Sequence, residues 1–398
     1  MSAGATICGT QSQEAERSLL LNQYCHLRRE WTYREMVTAP SSKQTPLDLM
    51  DARRICIIKP SALGDVVQTL PLLPMLRERF PKAKISWVIN SSFANLLEEH
   101  PALDEIIPFN RQGGWREWPP LIKQLRAGKF DLVLDLQGLL RTAVMTWSTR
   151  APVRIGLQTA REMSHFACHQ LIPDSDKQMP AYNRMWRVAE ALGMGATPRE
   201  TIITVSDSDR QIVEEKLAPI SRPFVAIQPG AQWSTKRWPV EKFAEVAARA
   251  ADTHDLAMVL IGSQGERLLA QQLQQEIQQR NPNAIVLDLA GETTLKQLSH
   301  LLERSTMLLT NDSGPMHLAA GLQVPLVGVF TSTSSVRSGP PPTSTTRLVT
   351  TTDACQACYK KICPRTGDLH LTCQKRLSTA PVLDAVNQLV TQLQARAA

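Results

Sequence analysis

The sequence predicts an α/β protein made of two doubly wound domains, each a parallel sheet covered by helices. Three observations carry that expectation. Short β-rich runs alternate with helical ones, the pattern of strands joined by crossover helices. The alternation runs through once and starts again at Phe224. The chain has 398 residues, which at roughly 100–200 per domain leaves room for two such units. Hydrophobic residues at 43% and charged residues at 20% match an ordinary globular protein, which excludes wholesale disorder.

The elements follow in order. Residues 1–50 show no sustained periodicity and carry the polar stretch Thr-Ala-Pro-Ser-Ser-Lys-Gln-Thr-Pro at 38–46, so they are expected to form a flexible extension. The first domain is expected over 51–210. It contains a strand at Ile55 to Ile58, a helix running through Arg79, a strand at Ile85 to Ile89 and another helix. Further strands are expected at Leu132 to Leu136, Val153 to Leu157 and Ile202 to Val205, with a helical stretch from Tyr182 to Leu192. A charged helix with Pro219, Ser221 and Pro223 separates the two series near 206–222. The second domain, over 211–380, has strands at Phe224 onward, Ala257 to Ile261, Ile285 to Leu289, Met307 to Thr310 and Leu326 to Phe330. In 381–398, Val382, Val386, Leu389, Val390 and Leu393 fall on one helical face, which is expected to pack back across the domains.

No stretch of 18 apolar residues is present, and Glu14, Glu16 and Arg17 stand where a secretory signal needs an apolar core, so a cytoplasmic location is expected. Lys plus Arg is 44 against 37 Asp plus Glu, a net +7 that suits anionic ligands without calling for nucleic acid. Between Cys355 and Leu377, five cations (Lys360, Lys361, Arg365, Lys375, Arg376) face one anion, Asp368. The same segment holds Cys355, Cys358, Cys363 and Cys373. Four thiols and His370 are enough for tetrahedral zinc, yet the spacing lacks the paired CxxC of a zinc ribbon, and buried or redox-paired thiols are the leading reading.

Ligands in doubly wound sheets bind beyond the carboxyl ends of the strands, so the strand-end loops carry the candidate chemistry. The first strand ends in Lys59-Pro60-Ser61-Ala62-Leu63-Gly64-Asp65, a small-residue turn opening a helix. It satisfies neither the P-loop nor the dinucleotide spacing. Asp65 at the helix start suits either an N-cap or a general base. In the second half, Ser234-Thr235-Lys236-Arg237 between Trp233 and Trp238 places hydroxyls and two cations in a strand-to-helix loop able to hold phosphates. Ile261-Gly262-Ser263-Gln264-Gly265-Glu266 puts an acid where it can accept ribose hydroxyls or simply favour a helix dipole. Thr310-Asn311-Asp312-Ser313-Gly314-Pro315-Met316-His317 is a strand end, a Gly-Pro turn and a helix start, an anion site by construction, with His317 fitting a structural histidine.

The Ser-Ala-Leu-Gly-Asp turn, the Lys-Arg-Trp-Pro segment and the Asn-Asp-Ser-Gly-Pro-Met-His segment, in that order and spacing, resemble the ADP-heptose:lipopolysaccharide heptosyltransferases, glycosyltransferase family 9. The resemblance covers about 53–395. It implies the GT-B fold, two Rossmann-like domains facing across a cleft, and an inverting transfer of heptose from ADP-heptose to a phosphorylated glycolipid of the lipopolysaccharide inner core. Asp65 then corresponds to the catalytic base. Ser234 and Lys236 correspond to donor phosphate contacts, Glu266 to the ribose contact and Asp312 to the transferred sugar's contact. Ser313, Gly314, Met316 and His317 correspond to diphosphate contacts. On the acceptor side stand Gly64 and Arg141, the latter chosen among Arg111, Arg116, Arg141 and Arg154. Lys236 and the helix dipole do the work of a metal in such a site, so no metal or other cofactor is expected. Contact with the inner face of the cytoplasmic membrane would be peripheral. The competing readings are a GT-B transferase with another nucleotide sugar, a non-catalytic nucleotide-sugar-binding protein, and an NAD-linked oxidoreductase, against which the missing GxGxxG counts.

Overall fold

The computed structural model describes Leu47 and residues 50–172, 179–197, 199–353, 355 and 357–397. Most of the expected N-terminal extension lies outside these residues. Its end does not behave as a loose tail: Leu47 and Met50 are buried in the core, and Arg79 donates to the Met50 carbonyl at 2.9 Å.

β1 (Arg54–Ile58), β2 (Lys84–Asn90), β3 (Glu105–Phe109), β4 (Leu132–Asp135), β5 (Val153–Leu157) and β6 (Gln170–Ile172) form one sheet in the order β3-β2-β1-β4-β5-β6. β7 (Phe224–Gln228), β8 (Ala257–Leu260), β9 (Val286–Asp288), β10 (Met307–Asn311), β11 (Leu326–Phe330) and β12 (Thr346–Thr350) form a second, in the order β12-β11-β10-β7-β8-β9. Every pairing is parallel. Both orders follow one plan: the first strand is central, the next two lie to one side and the last three to the other. The chain therefore reverses direction between β1 and β4, and again between β7 and β10. Such switch points leave a crevice at the carboxyl ends of the strands.

The helices are α1 (Leu63–Thr69), α2 (Leu72–Arg79), α3 (Trp118–Ala127), α4 (Leu140–Ser148), α5 (Ala181–Ala191), α6 (Asp207–Leu217), α7 (Val240–His254), α8 (Arg267–Arg280), α9 (Leu295–Arg304), α10 (Gly314–Gly321), α11 (Ser335–Ser338), α12 (Thr372–Arg376) and α13 (Ala380–Ala397). Strand residues alternate between faces. Ile55 and Ile57 join a core that runs on into the second half through Met316, Leu318 and Ala319. Cys56 and Ile58 face the other way, onto Leu121 and Leu125 of α3 and Met145 of α4. A third core, under α7 and α8, takes Val382, Val386, Leu389 and Val390 of α13. The apolar face of α13 is thus used on α7, β11 and β12.

Two sequence expectations change, and two further strands were not expected. The helix expected through Arg79 is two helices, because Pro71 has no N–H to continue the first. Ile202 to Val205 is not a strand; the edge is β6, only three residues long. β3 carries Pro108 and β12 has no fully buried residue, so both lacked the apolar signature, and both are edge strands, where proline and partial exposure are tolerated. No helix among the described residues is long and apolar enough to cross a membrane.

Candidate active site

The two switch points meet where α1, which follows β1, lies against α10, which follows β10. The contact is made by small residues. A Cβ on Gly64 would strike the His317 ring, and one on Gly314 would stand 3.0 Å from the Leu63 Cβ. Only glycine permits this approach, and the turn sequences supply it on both sides.

Asp65 sits in the first turn of α1. Its Oδ2 receives Lys59 Nζ at 3.2 Å, and its side chain stays 46% exposed while Lys59 is buried. The protein packed around Asp65, the largest influence, pushes its pKa up; the Lys59 charge and hydrogen bond, then His317 and the Ala62 backbone, outweigh it and hold the carboxyl below its ordinary value. Asp65 is therefore an ionised acceptor of a proton at neutral pH. At the end of β4, buried Asp135 Oδ1 accepts the Gln137 and Gly138 N–H groups, each at 3.0 Å. Burial raises the Asp135 pKa, against those N–H groups, Thr142 and Lys59. Lys59 thus pairs with the open carboxylate, Asp65, and its charge also bears on buried Asp135.

On the opposite side of the crevice, Lys236 Nζ pairs with Asp312 Oδ2 at 2.7 Å, and Thr333 Oγ1 donates to the same oxygen at 2.6 Å. The ammonium also lies 4.8 Å from the Trp233 ring centroid, a cation–π contact that limits its freedom. Asn311 fastens the surrounding loops: its Nδ2 donates to the Pro229 carbonyl at 2.7 Å and its Oδ1 accepts the Trp238 N–H at 3.0 Å. Ser313 is the N-cap of α10 and makes no side-chain cap, so the first N–H groups of that helix face the crevice rather than a hydroxyl. Glu266 Oε2 accepts from Ser263 N at 2.8 Å, Ser263 Oγ at 2.7 Å and Gln228 Nε2 at 3.2 Å. Its carboxylate covers Gly230, where a Cβ would collide with it.

His317 links the two sides. Gln68 Nε2 donates to its Nδ1 at 2.9 Å, which leaves the ring proton on Nε2. Burial lowers its pKa, Asp312 and Asp65 oppose that, and Lys236 reinforces it. Asp65, Asp312 and Lys236 are therefore electrostatic neighbours of one neutral imidazole. Beside it, Trp186, Arg199, Pro340 and Pro341 help line a cavity that also touches Gln68.

Not every expected residue faces this site. Met316 is fully buried and packs beneath Gly328, so it offers the crevice only backbone. Trp238 is core, with its Nε1 donating to the Leu377 carbonyl. Arg237 donates from Nε to the Ala231 carbonyl at 2.8 Å, and Arg154 from Nε and Nη1 to the carbonyls of Ala167 and Ala151. Arg141, at the start of α4, has its pKa lowered by burial and by the like charge of Arg111, against Glu162. Sequence reasoning passed over Lys59, Gln68, Thr333 and Asn311. Lys59 opens the quoted turn, six residues before Asp65, and Gln68 lies three residues after it, but only the fold reveals what they touch.

The cysteine-rich segment docks on the Ser234–Lys236 turn. Thr235 Oγ1 donates to the Lys360 carbonyl at 2.6 Å and Ser234 Oγ to that of Lys361 at 3.3 Å. Cys355, Cys358, Cys363 and Cys373 are free thiols. Burial, then Cys355 and Cys358, push Cys373 up to about 11, and Cys363 Sγ accepts the Leu371 N–H at 3.4 Å. Among the described residues, no group of three or more His, Cys, Asp or Glu is arranged to hold a metal ion.

Glycosyltransferase family 9 (heptosyltransferase) matches residues 118–367. The chain is 26% identical over 300 residues to the lipopolysaccharide core heptosyltransferase OpsX of Haemophilus influenzae, covering 74% of this chain and 84% of that protein. It is 28% identical over 330 residues to lipopolysaccharide heptosyltransferase 1 of Pseudomonas aeruginosa, covering 78% and 87%. The solved structure of the E. coli ADP-heptose lps heptosyltransferase II is similar with a TM-score of 0.68 at 25% identity, over 86% of this chain and 99% of that one.

Proposed function

Because the chain belongs to glycosyltransferase family 9, the heptosyltransferases, we propose that the crevice between α1 and α10 transfers heptose from ADP-heptose to a lipopolysaccharide inner-core acceptor. The observation that carries the assignment of roles is the glycine-mediated contact of the two helices, which sets an ionised carboxylate from one sheet against a phosphate-type site from the other. Asp65 removes the proton from the acceptor hydroxyl as that oxygen attacks the anomeric carbon. The bond to the diphosphate breaks on the opposite face, so the anomeric configuration inverts. Charge developing on the leaving ADP is taken up by Lys236, by the N–H groups that open α10, from Ser313 and Gly314 to the Met316 and His317 backbone, and by the Ser234 hydroxyl. Glu266 holds the ribose, and Asp312 orients the heptose once Lys236 turns to the phosphates. Lys59 keeps Asp65 ionised, and Gly64 lets α1 approach closely enough to present it. Arg141, with Arg111 beside it, receives an acidic group of the acceptor. Since that acceptor is a membrane glycolipid, the enzyme works peripherally at the cytoplasmic membrane.

Calorimetric titration with ADP-heptose, UDP-glucose and NAD tests the donor, and the anomeric configuration of the transfer product tests the displacement. Selective ADP-heptose binding with an inverted product is expected. Binding of UDP-glucose alone, or a retained configuration, would overturn the reading.

A further inference from the structure

One face of the protein is apolar and basic, and its exposed aromatic side chains are used by nothing described so far. α3 and α4 cover the outer face of the first sheet, the face turned away from the second half. On α4, Leu140, Val144 and Trp147 fall at i, i+4 and i+7 and are all exposed, Trp147 at 65%. That is an amphipathic stripe pointing outward rather than into a core. The 3₁₀ turn Ser164–Ala167, packed against α4, adds Phe166 at 71% exposure, with Met163 just before it. The 3₁₀ turn Gly114–Glu117, packed against α3, adds Trp115 at 75%, with Arg116 stacked 5.8 Å from its ring centroid. Trp115 follows β3, Leu140 follows β4, and Met163 and Phe166 follow β5. In a parallel sheet those positions share one edge, the carboxyl edge that carries Asp65 after β1.

Charge selects the occupant. Residues 110–167 hold nine Lys or Arg against four Asp or Glu, which supplies +5 of the chain's +7. A two-fold dimer through this face would set that positive patch against itself. Exposed tryptophan and phenylalanine on a segment with an excess of arginine and lysine fit instead the headgroup level of an anionic bilayer, where aromatic rings have an apolar body and a wet rim and each basic side chain adds attraction.

We propose that the outer surface of α3 and α4, with the turns bearing Trp115 and Phe166, is a docking face for an anionic lipid surface. It would seat the protein with the carboxyl edge of the first sheet at the headgroups, so that a lipid-anchored sugar enters the crevice beside Asp65. The inference rests on the proposed glycolipid acceptor. Its test leaves that reading separately decidable.

The intact protein is sedimented with vesicles of phosphatidylcholine alone and of phosphatidylcholine with 30% phosphatidylglycerol, at about 0.05 M and about 0.5 M salt. Binding to the anionic vesicles at low salt, at least tenfold weaker at high salt and on neutral vesicles, is expected. Trp147→Gln/Phe166→Gln should lower the vesicle partition coefficient at least tenfold while donor titration and transfer to a delipidated soluble acceptor stay unchanged. Both side chains are largely in solvent, so folding is not at stake. As a second readout, lipids brominated near the headgroup should quench wild-type tryptophan fluorescence, and less so that of Trp115→Phe/Trp147→Phe. Wild-type indifference to anionic vesicles, equal partitioning of the variant, or a wild-type dimer that the variant dissolves would each overturn the proposal. Failure of the donor titration would strike the transferase reading alone.

Discussion

Replacing Lys236 by Met separates what the Lys236–Asp312 pair does for stability from what it does for the donor. Asp312 is 4% exposed, and its Oδ2 receives Lys236 Nζ at 2.7 Å and Thr333 Oγ1 at 2.6 Å. Removing one partner of a buried pair costs about 3–5 kcal/mol, mostly because the remaining charge is left uncompensated. Lys236 is 18% exposed, so water replaces part of its effect, and about 2–3 kcal/mol is the appropriate figure. For a folded unit of about 350 residues that lowers Tm by roughly 3–4 °C. Lys236→Met/Asp312→Asn removes the stranded charge, keeps the Thr333 hydrogen bond and should recover most of the loss. ADP affinity responds differently: losing a hydrogen bond between charged groups costs about 1.5–3 kcal/mol, a roughly 10–150-fold rise in Kd, and the double variant does not restore it. Differential scanning calorimetry and ADP titration on the three proteins read both quantities. An unchanged Tm and unchanged ADP affinity in Lys236→Met would refute the reasoning, as would a double variant less stable than the single one.

Asp65→Asn should lower kcat about 10²–10⁴-fold, the usual worth of a general base, with donor Kd unchanged; a variant that keeps most of its turnover removes Asp65 from the mechanism. Gly64→Ala drives a methyl into the His317 ring, an overpacking of about 1–3 kcal/mol. Transfer should drop at least tenfold while circular dichroism stays native, and an unimpaired variant would show that α1 and α10 need not meet. His100 is buried, its Nδ1 accepts the Ala102 N–H, and burial lowers its pKa to about 4. The unfolded state takes up that proton near pH 6.5 and the native state only near 4, so the stabilisation is complete above 6.5 and fades as pH falls between those values, by on the order of 3 kcal/mol. Denaturant midpoints across that window should fall less steeply in His100→Gln, and parallel slopes would discard the assignment.

How much of this was legible in the sequence depends on the kind of signal. Fully buried parallel strands such as β1, β7, β10 and β11 are apolar runs, and they were readable because both of their faces are covered. β3, β6 and β12 lie at or near sheet edges, where only partial burial is required, so their residues carry no comparable pattern. The strand-end turns were readable as sites because a glycine or Gly-Pro at a helix start has a backbone meaning independent of the fold. The partners were not. Gln68 and His317 are 249 positions apart, and Asp312 and Thr333 come from successive strand ends. Only the shared topology of the two sheets brings them together.

The same logic explains why the cysteine-rich segment belongs with the donor loop rather than standing as a separate module. Lys242 of α7 donates to the carbonyls of Gln374, Lys375 and Leu377, Gln374 Nε2 returns a bond to the Ser234 carbonyl at 2.7 Å, and Trp238 reaches Leu377. These are mostly hydrogen bonds to backbone carbonyls, which fix the path of the segment whatever its side chains. The path leaves Lys361 beside the Ser234–Lys236 turn, its Nζ 5.9 Å from the same Trp233 ring that Lys236 approaches at 4.8 Å. Exposed charges are screened over about 8–10 Å at ordinary salt, so a cation helps a diphosphate only if the backbone holds it within that distance. The carbonyl-mediated docking meets that condition for Lys361. Of the cations behind the local excess of +4, Lys361 is thus held at the Ser234–Lys236 turn, while the larger excess, the +5 of residues 110–167, belongs to the first half.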